Sequence, residues 1–108
     1  MYELEFLPIV RRDMTEIVRY ISYHLQNPSA AEQLADEMIE AVEAARSFPY
    51  AGPPYFPIRP LKHDYRKLLV QNYLIFYWVD DRARKITVAR AVYAKRDYAK
   101  RDYASLLD

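Results

Sequence analysis

With 108 residues, 52% of them hydrophobic, a formal net charge of +1 and no cysteine, the chain suffices for one small core built without disulfides. Thiolate catalysis, iron–sulfur clusters and cysteine-ligated zinc are excluded. The two histidines, His24 and His63, are too few and too isolated for a metal centre, so neither metal nor cofactor is expected. No apolar run approaches the roughly 20 residues that cross a bilayer, and the N-terminus MYELEF carries two acids, unlike a signal peptide. A single cytoplasmic domain over residues 1–108 is the expectation.

In chain order, YELEF alternates Tyr2, Leu4 and Phe6 and predicts a short strand. Pro8 is tolerated in the first turn of a helix. Val10, Met14, Ile17, Ile21 and Leu25 then form one apolar stripe at spacings of three and four. Asn27-Pro28-Ser29 ends that helix and opens a second, with Ser29 and Glu32 in a capping-box pattern. Ala31, Leu34, Met38, Val42 and Ala45 make the second stripe, which Phe48-Pro49 stops. Two stripes joined by a short turn predict an antiparallel helical hairpin.

PYAGPPYFPIRP, residues 49–60, holds five of the seven prolines and the only glycine, Gly52. It reads as a stiff connector that cannot join a central strand. Neither side has enough residues for an independent core, so it is not a domain boundary. Three strands follow, over about 65–70, 73–79 and 85–93, and short loops make them an antiparallel meander. YLIFYWV is apolar on both faces, which suits the central strand: one face meets the hairpin, the other presents Tyr or Trp to a partner or to the tail. The fold class is α+β: strand, two-helix hairpin, three-stranded meander, short C-terminal helix.

The small net charge conceals opposed halves. Residues 1–54 carry four arginines and nine acids, residues 55–108 twelve Lys/Arg and six acids. The basic half suits a polyanion or an acidic protein segment. Arg90, between Val88 and Val92 on one strand face by period two, is either paired with an acid or aimed at a ligand. His63 is read as an exposed loop histidine, and His24 as a dipole contact at a helix C-terminus. Most of the eleven tyrosines suit the core or its rim; Tyr55, Tyr73 and Tyr93 are candidate stacking or interface anchors.

The phrases IVRYISYHLQNPSAAEQ with FPYAG, YRKLLVQNYLIFYWVDD and ITVARAVYAKRD, set in this element order, resemble the RelE/ParE superfamily of toxins from type II toxin–antitoxin systems. The long hairpin resembles the ParE branch. Arg90 to Asp97, R-x-x-Y-x-K-R-D, is similar to the motif after the last strand of both branches. The resemblance implies a growth-arresting cytosolic toxin neutralised by a cognate antitoxin, through which alone it would reach operator DNA. ParE-like members poison DNA gyrase; RelE-like members cut mRNA on the ribosome; a non-toxic relic acting as antitoxin-binding co-repressor is a third reading.

Metal-free RNA cleavage needs a base for the 2′-OH, cations for the phosphorane and an acid for the leaving oxygen. Carried over by position, the RelE-like set falls on Arg66, Arg96 and a tail tyrosine, Tyr98 or Tyr103. Two further cationic positions of that set are Leu68 and Leu74 here. Losing one preorganised cation costs on the order of 3 kcal/mol of transition-state stabilisation, so the gyrase reading is favoured unless Lys62 or Lys67 compensates. Arg59, Lys62, Lys67, Arg90, Tyr93 and Lys95 are the candidate binding residues.

The word YAKRD is written twice, at 93–97 and 98–102. On a helix, five residues rotate by about 140° net, so Arg96 and Arg101 cannot share a face. The first copy closes the last strand; the second is expected to continue a helix, Asp97 supporting Arg101, that carries Leu106 and Leu107 to an apolar landing place.

Overall fold

A computed structural model describes residues 1–94 and 102–107. β1 (Glu3–Phe6) leads into α1 (Pro8–Arg19), and α2 (Pro28–Ser47) runs back beside it. β2 (Arg66–Val70), β3 (Tyr73–Asp80) and β4 (Lys85–Tyr93) form the meander, and α3 (Ala104–Leu107) closes the described chain. The sheet order is β1-β4-β3-β2, with β1 parallel to β4 and the other pairs antiparallel.

The hairpin covers one face of the sheet. Val10, Ile21, Leu34, Met38 and Val42 pack on Val70, Ile75, Val88 and Ala91. The stripe Ala31, Leu34, Met38, Val42 and Ala45 is the buried face of α2. Each large apolar side chain removed from water there contributes about 2 kcal/mol. The opposite face carries Leu74, Phe76 and Ala89, covered by Tyr65, Tyr103 and partly by Tyr55, Trp78 and Leu107. Period two along YLIFYWV thus feeds both layers, and the second face is roofed by the proline-rich segment and the chain's end.

Four expectations change. The N-cap of α2 is Asn27, whose Oδ1 accepts the Ala30 N–H at 3.1 Å; Pro28 occupies the first helical position, and Ser29 Oγ donates to Asn27 instead of capping. The first helix does not run regularly to Leu25. Tyr20–His24 forms a π turn, with Leu25 N–H donating to Tyr20 O at 3.1 Å. The wider turn takes Leu25 off the stripe and leaves it 56% exposed. A β-bulge between Phe76 and Tyr77 pairs Phe76 with Arg90 and Tyr77 with Val88, so Ala89 is the extra residue. Period two breaks there: Val88 faces the hairpin, Val92 the other layer, and the shared face expected for Val88, Arg90 and Val92 does not exist. At the chain's end, Tyr103 and Ala104 are buried and Leu107 is partly so, whereas Leu106 is exposed. Residues 95–101 of the doubled word, with the Asp97–Arg101 spacing, lie outside the described residues.

Candidate functional site

The end of β4, beyond its bulge, and the π turn in the first helix meet across one groove. Its volume is about 760 Å³, and it is lined by Asp13, Glu16, Ile17, Tyr20, Ile21 and Leu25 from the first helix and its π turn, Asn27 and Ala30 at the start of α2, Gln71, Asn72 and Tyr73 at the β2–β3 turn, and Ala91, Val92 and Tyr93 at the end of β4. Tyr73 and Tyr93 are register partners with ring centroids 5.7 Å apart, edge to face. Burial, then the neighbouring Tyr93 and Tyr20, push the Tyr73 phenol up. Tyr20 stacks on His24 at 5.3 Å, so His24 has a ring partner besides its place at the helix end. The groove therefore has three tyrosine rims, an apolar floor and an acidic side, and suits an amphipathic protein segment.

Arg90 stands beside this groove with its guanidinium turned to Asp13. Its Nε and Nη2 donate to the two oxygens of Asp13 at 2.7 and 3.0 Å, and the Ala91 N–H donates to the same carboxylate at 3.0 Å. Its Nη1 reaches Leu106 O at 3.1 Å. Pairing, one of the two readings of an arginine in an apolar strand, is the one realised.

Arg66 is likewise engaged. Its Nη1 donates to Gly52 O at 2.7 Å and Tyr50 O at 3.2 Å, and its guanidinium lies 4.7 Å from the Tyr50 ring centroid. It clamps the proline-rich segment to the start of β2. Lys67 sits 5.9 Å from the centroid of the Tyr55 ring, and Arg59 Nη2 donates to Ala104 O at 3.4 Å. Lys62 lies exposed between Pro60 and β2. Leu74 is buried in the far-side layer and Leu68 is partly buried toward the hairpin, so both apolar replacements serve the core. Tyr103 is also buried there. Lys95, Arg96 and Tyr98 lie outside the described residues. Of the candidate binding residues in the described chain, Tyr93 alone lines the groove; Arg90 borders it, and Arg59, Lys62 and Lys67 belong to the proline-rich edge. The guanidinium groups of Arg66 and Arg90 are thus both turned to partners within the fold.

His63 stacks on Trp78 at 3.7 Å with planes 2° apart, and Tyr65 stands edge-on to both rings. The exposed histidine is thus part of an aromatic packing layer. Among the described residues, no cluster of His, Cys, Asp or Glu has the arrangement of a metal site, and no helix is long and apolar enough to cross a membrane.

The family described as the ParE toxin of type II toxin–antitoxin system, parDE, matches residues 4–98. A chain of the chromosomal ParDE toxin–antitoxin system from P. aeruginosa superposes with TM-score 0.67 at 16% identity, covering 88% of this chain and 98% of that one. A chain of the RelBE2 toxin–antitoxin complex from Mycobacterium tuberculosis has TM-score 0.46 at 17% identity, covering 85% of this chain and 96% of that one. No curated protein matches the chain.

Proposed function

The chain belongs to the ParE toxin family of type II toxin–antitoxin systems, and from that premise we propose that it arrests growth by binding DNA gyrase and is held inactive by a cognate antitoxin. One observation carries the choice of target. Arg66 is bound to the carbonyls of Tyr50 and Gly52, Arg90 is bound to Asp13, and Leu68 and Leu74 are core residues. Moving either guanidinium onto a scissile phosphate would break contacts that hold the fold, which disfavours metal-free RNA cleavage. A toxin that acts by binding needs only a shaped surface.

The antitoxin is proposed to lay the apolar side of a disordered tail into the groove rimmed by Tyr20, Tyr73 and Tyr93, folding as it docks. Tyrosines suit this task because they offer large, stiff contact area with a wet hydroxyl. A chain of the ParDE toxin–antitoxin system shares this fold, which supports an antitoxin as the partner.

Induced expression followed by primer extension on a reporter mRNA tests the choice. Growth arrest without new codon-phased 5′ ends is expected. Codon-phased cuts would transfer the chain to the nuclease reading. No arrest at all would leave the co-repressor reading.

A further inference from the structure

We propose that Phe56 and Ile58 form a rigid apolar knob that seats in an acid-rimmed apolar cleft of the folded target. This rests on the reading that the chain acts by binding.

These side chains are 84% and 85% exposed. Over residues 55–58 exposure alternates: Tyr55 and Pro57 are turned inward, Phe56 and Ile58 outward. Phe56 and Ile58 flank the inward-turned Pro57, and the chain bends at residues 58–59 directly after it. The segment carrying them is fastened on either flank. Before the knob, Tyr55 N–H donates to Tyr65 O at 2.8 Å, Lys67 N–H donates to Pro53 O at 3.1 Å, and Pro54 bridges Arg66. The Tyr55 hydroxyl accepts the Tyr103 N–H at 2.7 Å and donates to Asp102. After it, Arg59 holds Ala104 O. Pro57 restricts the backbone between these anchors, and Pro53, Pro54 and Pro60 restrict it on either side. Ordering the loop is therefore complete before any partner arrives, and docking loses little conformational entropy.

The shape and charge choose the occupant. A convex knob needs a preformed concavity, which a folded protein has and a disordered antitoxin tail lacks. Between residues 55 and 67 the chain carries Arg59, Lys62, Arg66 and Lys67 against Asp64, and Asp102 adds a second acid at Tyr55; the balance stays positive, so the complementary rim is acidic. The loop contributes no residue to the tyrosine-rimmed groove, so the two surfaces are separate.

The test compares wild type with F56S/I58S, and with F56S alone should the double variant melt lower. Thermal unfolding, inhibition of gyrase supercoiling and growth arrest on induction are measured. An unchanged melting temperature with inhibition and arrest weakened on the order of 30-fold is expected, as for a central contact pair. Undiminished arrest by the folded variant overturns the inference, including the case in which only rescue by the antitoxin is lost. If wild type arrests growth but leaves gyrase unaffected, the gyrase reading fails, and loss of arrest in the variant still decides for the knob. A wild type that arrests nothing overturns both.

Discussion

Arg90 and Asp13, 77 positions apart, meet in a two-pronged ion pair that ties the bulged strand β4 to α1 beside the groove. Their side chains are only 18% and 11% exposed. Replacing Arg90 with alanine leaves a largely buried carboxylate whose remaining donor is the Ala91 N–H. The expected loss of stability is about 3 kcal/mol, measured by denaturant unfolding. The compensated pair D13N/R90M should recover much of it, because neither charge is then stranded. Equal losses in R90A and the double variant would contradict a coupled pair.

Gly52 is required by close approach. A Cβ there would lie 2.5 Å from the Tyr77 hydroxyl and 2.8 Å from Lys67 O. Gly52→Ala should cost about 2 kcal/mol as overpacking against backbone that cannot yield. Tyr77→Phe removes one obstacle but also removes the bonds to Pro49 O and from Gly52 N–H. The two changes should therefore combine to less than their sum, a coupling readable in a double-mutant cycle.

Asp81 accepts hydrogen bonds from Tyr2, at 2.6 Å, and from Tyr50, joining the start of the chain, the proline-rich segment and the β3–β4 turn. These phenols hold its carboxyl below the usual value of 3.8. A depressed carboxyl stabilises the fold above its unfolded pKa and loses that contribution as pH falls through the folded one. The melting-temperature gap between wild type and D81N should thus be present at pH 7 and shrink below about pH 4. The same bonds raise both phenols, whose contribution is lost as pH climbs past 10.0. A gap that is flat with pH would show that the carboxylate is not held this way.

The proposal that the groove seats the antitoxin makes its own demand. Tyr20→Ala or Tyr93→Ala, both at exposed rims, should weaken the toxin–antitoxin complex by about 2 kcal/mol each in titration calorimetry while sparing the fold. Unchanged affinity in both would move the antitoxin elsewhere.

Much of the fold was legible because its signals are periodic. The stripe from Ala31 to Ala45 is the buried face of α2, and β4 spans Lys85–Tyr93 as expected. The site was less legible because it depends on where periodicity breaks. A bulge at Ala89 and a π turn at Tyr20–His24 each add one residue to a regular pattern, and neither has a local sequence signature here. They place Tyr20, Leu25 and Tyr93 along one groove. Arg90 carried its own clue, since a charge in an apolar strand needs a partner, but nothing in the sequence pointed to Asp13 among nine acids of the first half. Phe56 and Ile58 read as part of a connector because exposure is a tertiary property. The roles of Arg66 and Leu74 followed family positions; the structure shows one clamping a loop and the other filling the core.

The central claim is that the chain disables a protein by occupying it. The most direct measurement is a titration of purified gyrase with the purified chain in a plasmid supercoiling assay, with and without antitoxin. The account predicts dose-dependent loss of supercoiling near stoichiometric concentration, reversed by the antitoxin. Full gyrase activity at saturating chain, together with cleavage of ribosome-bound mRNA by the same preparation, would contradict it.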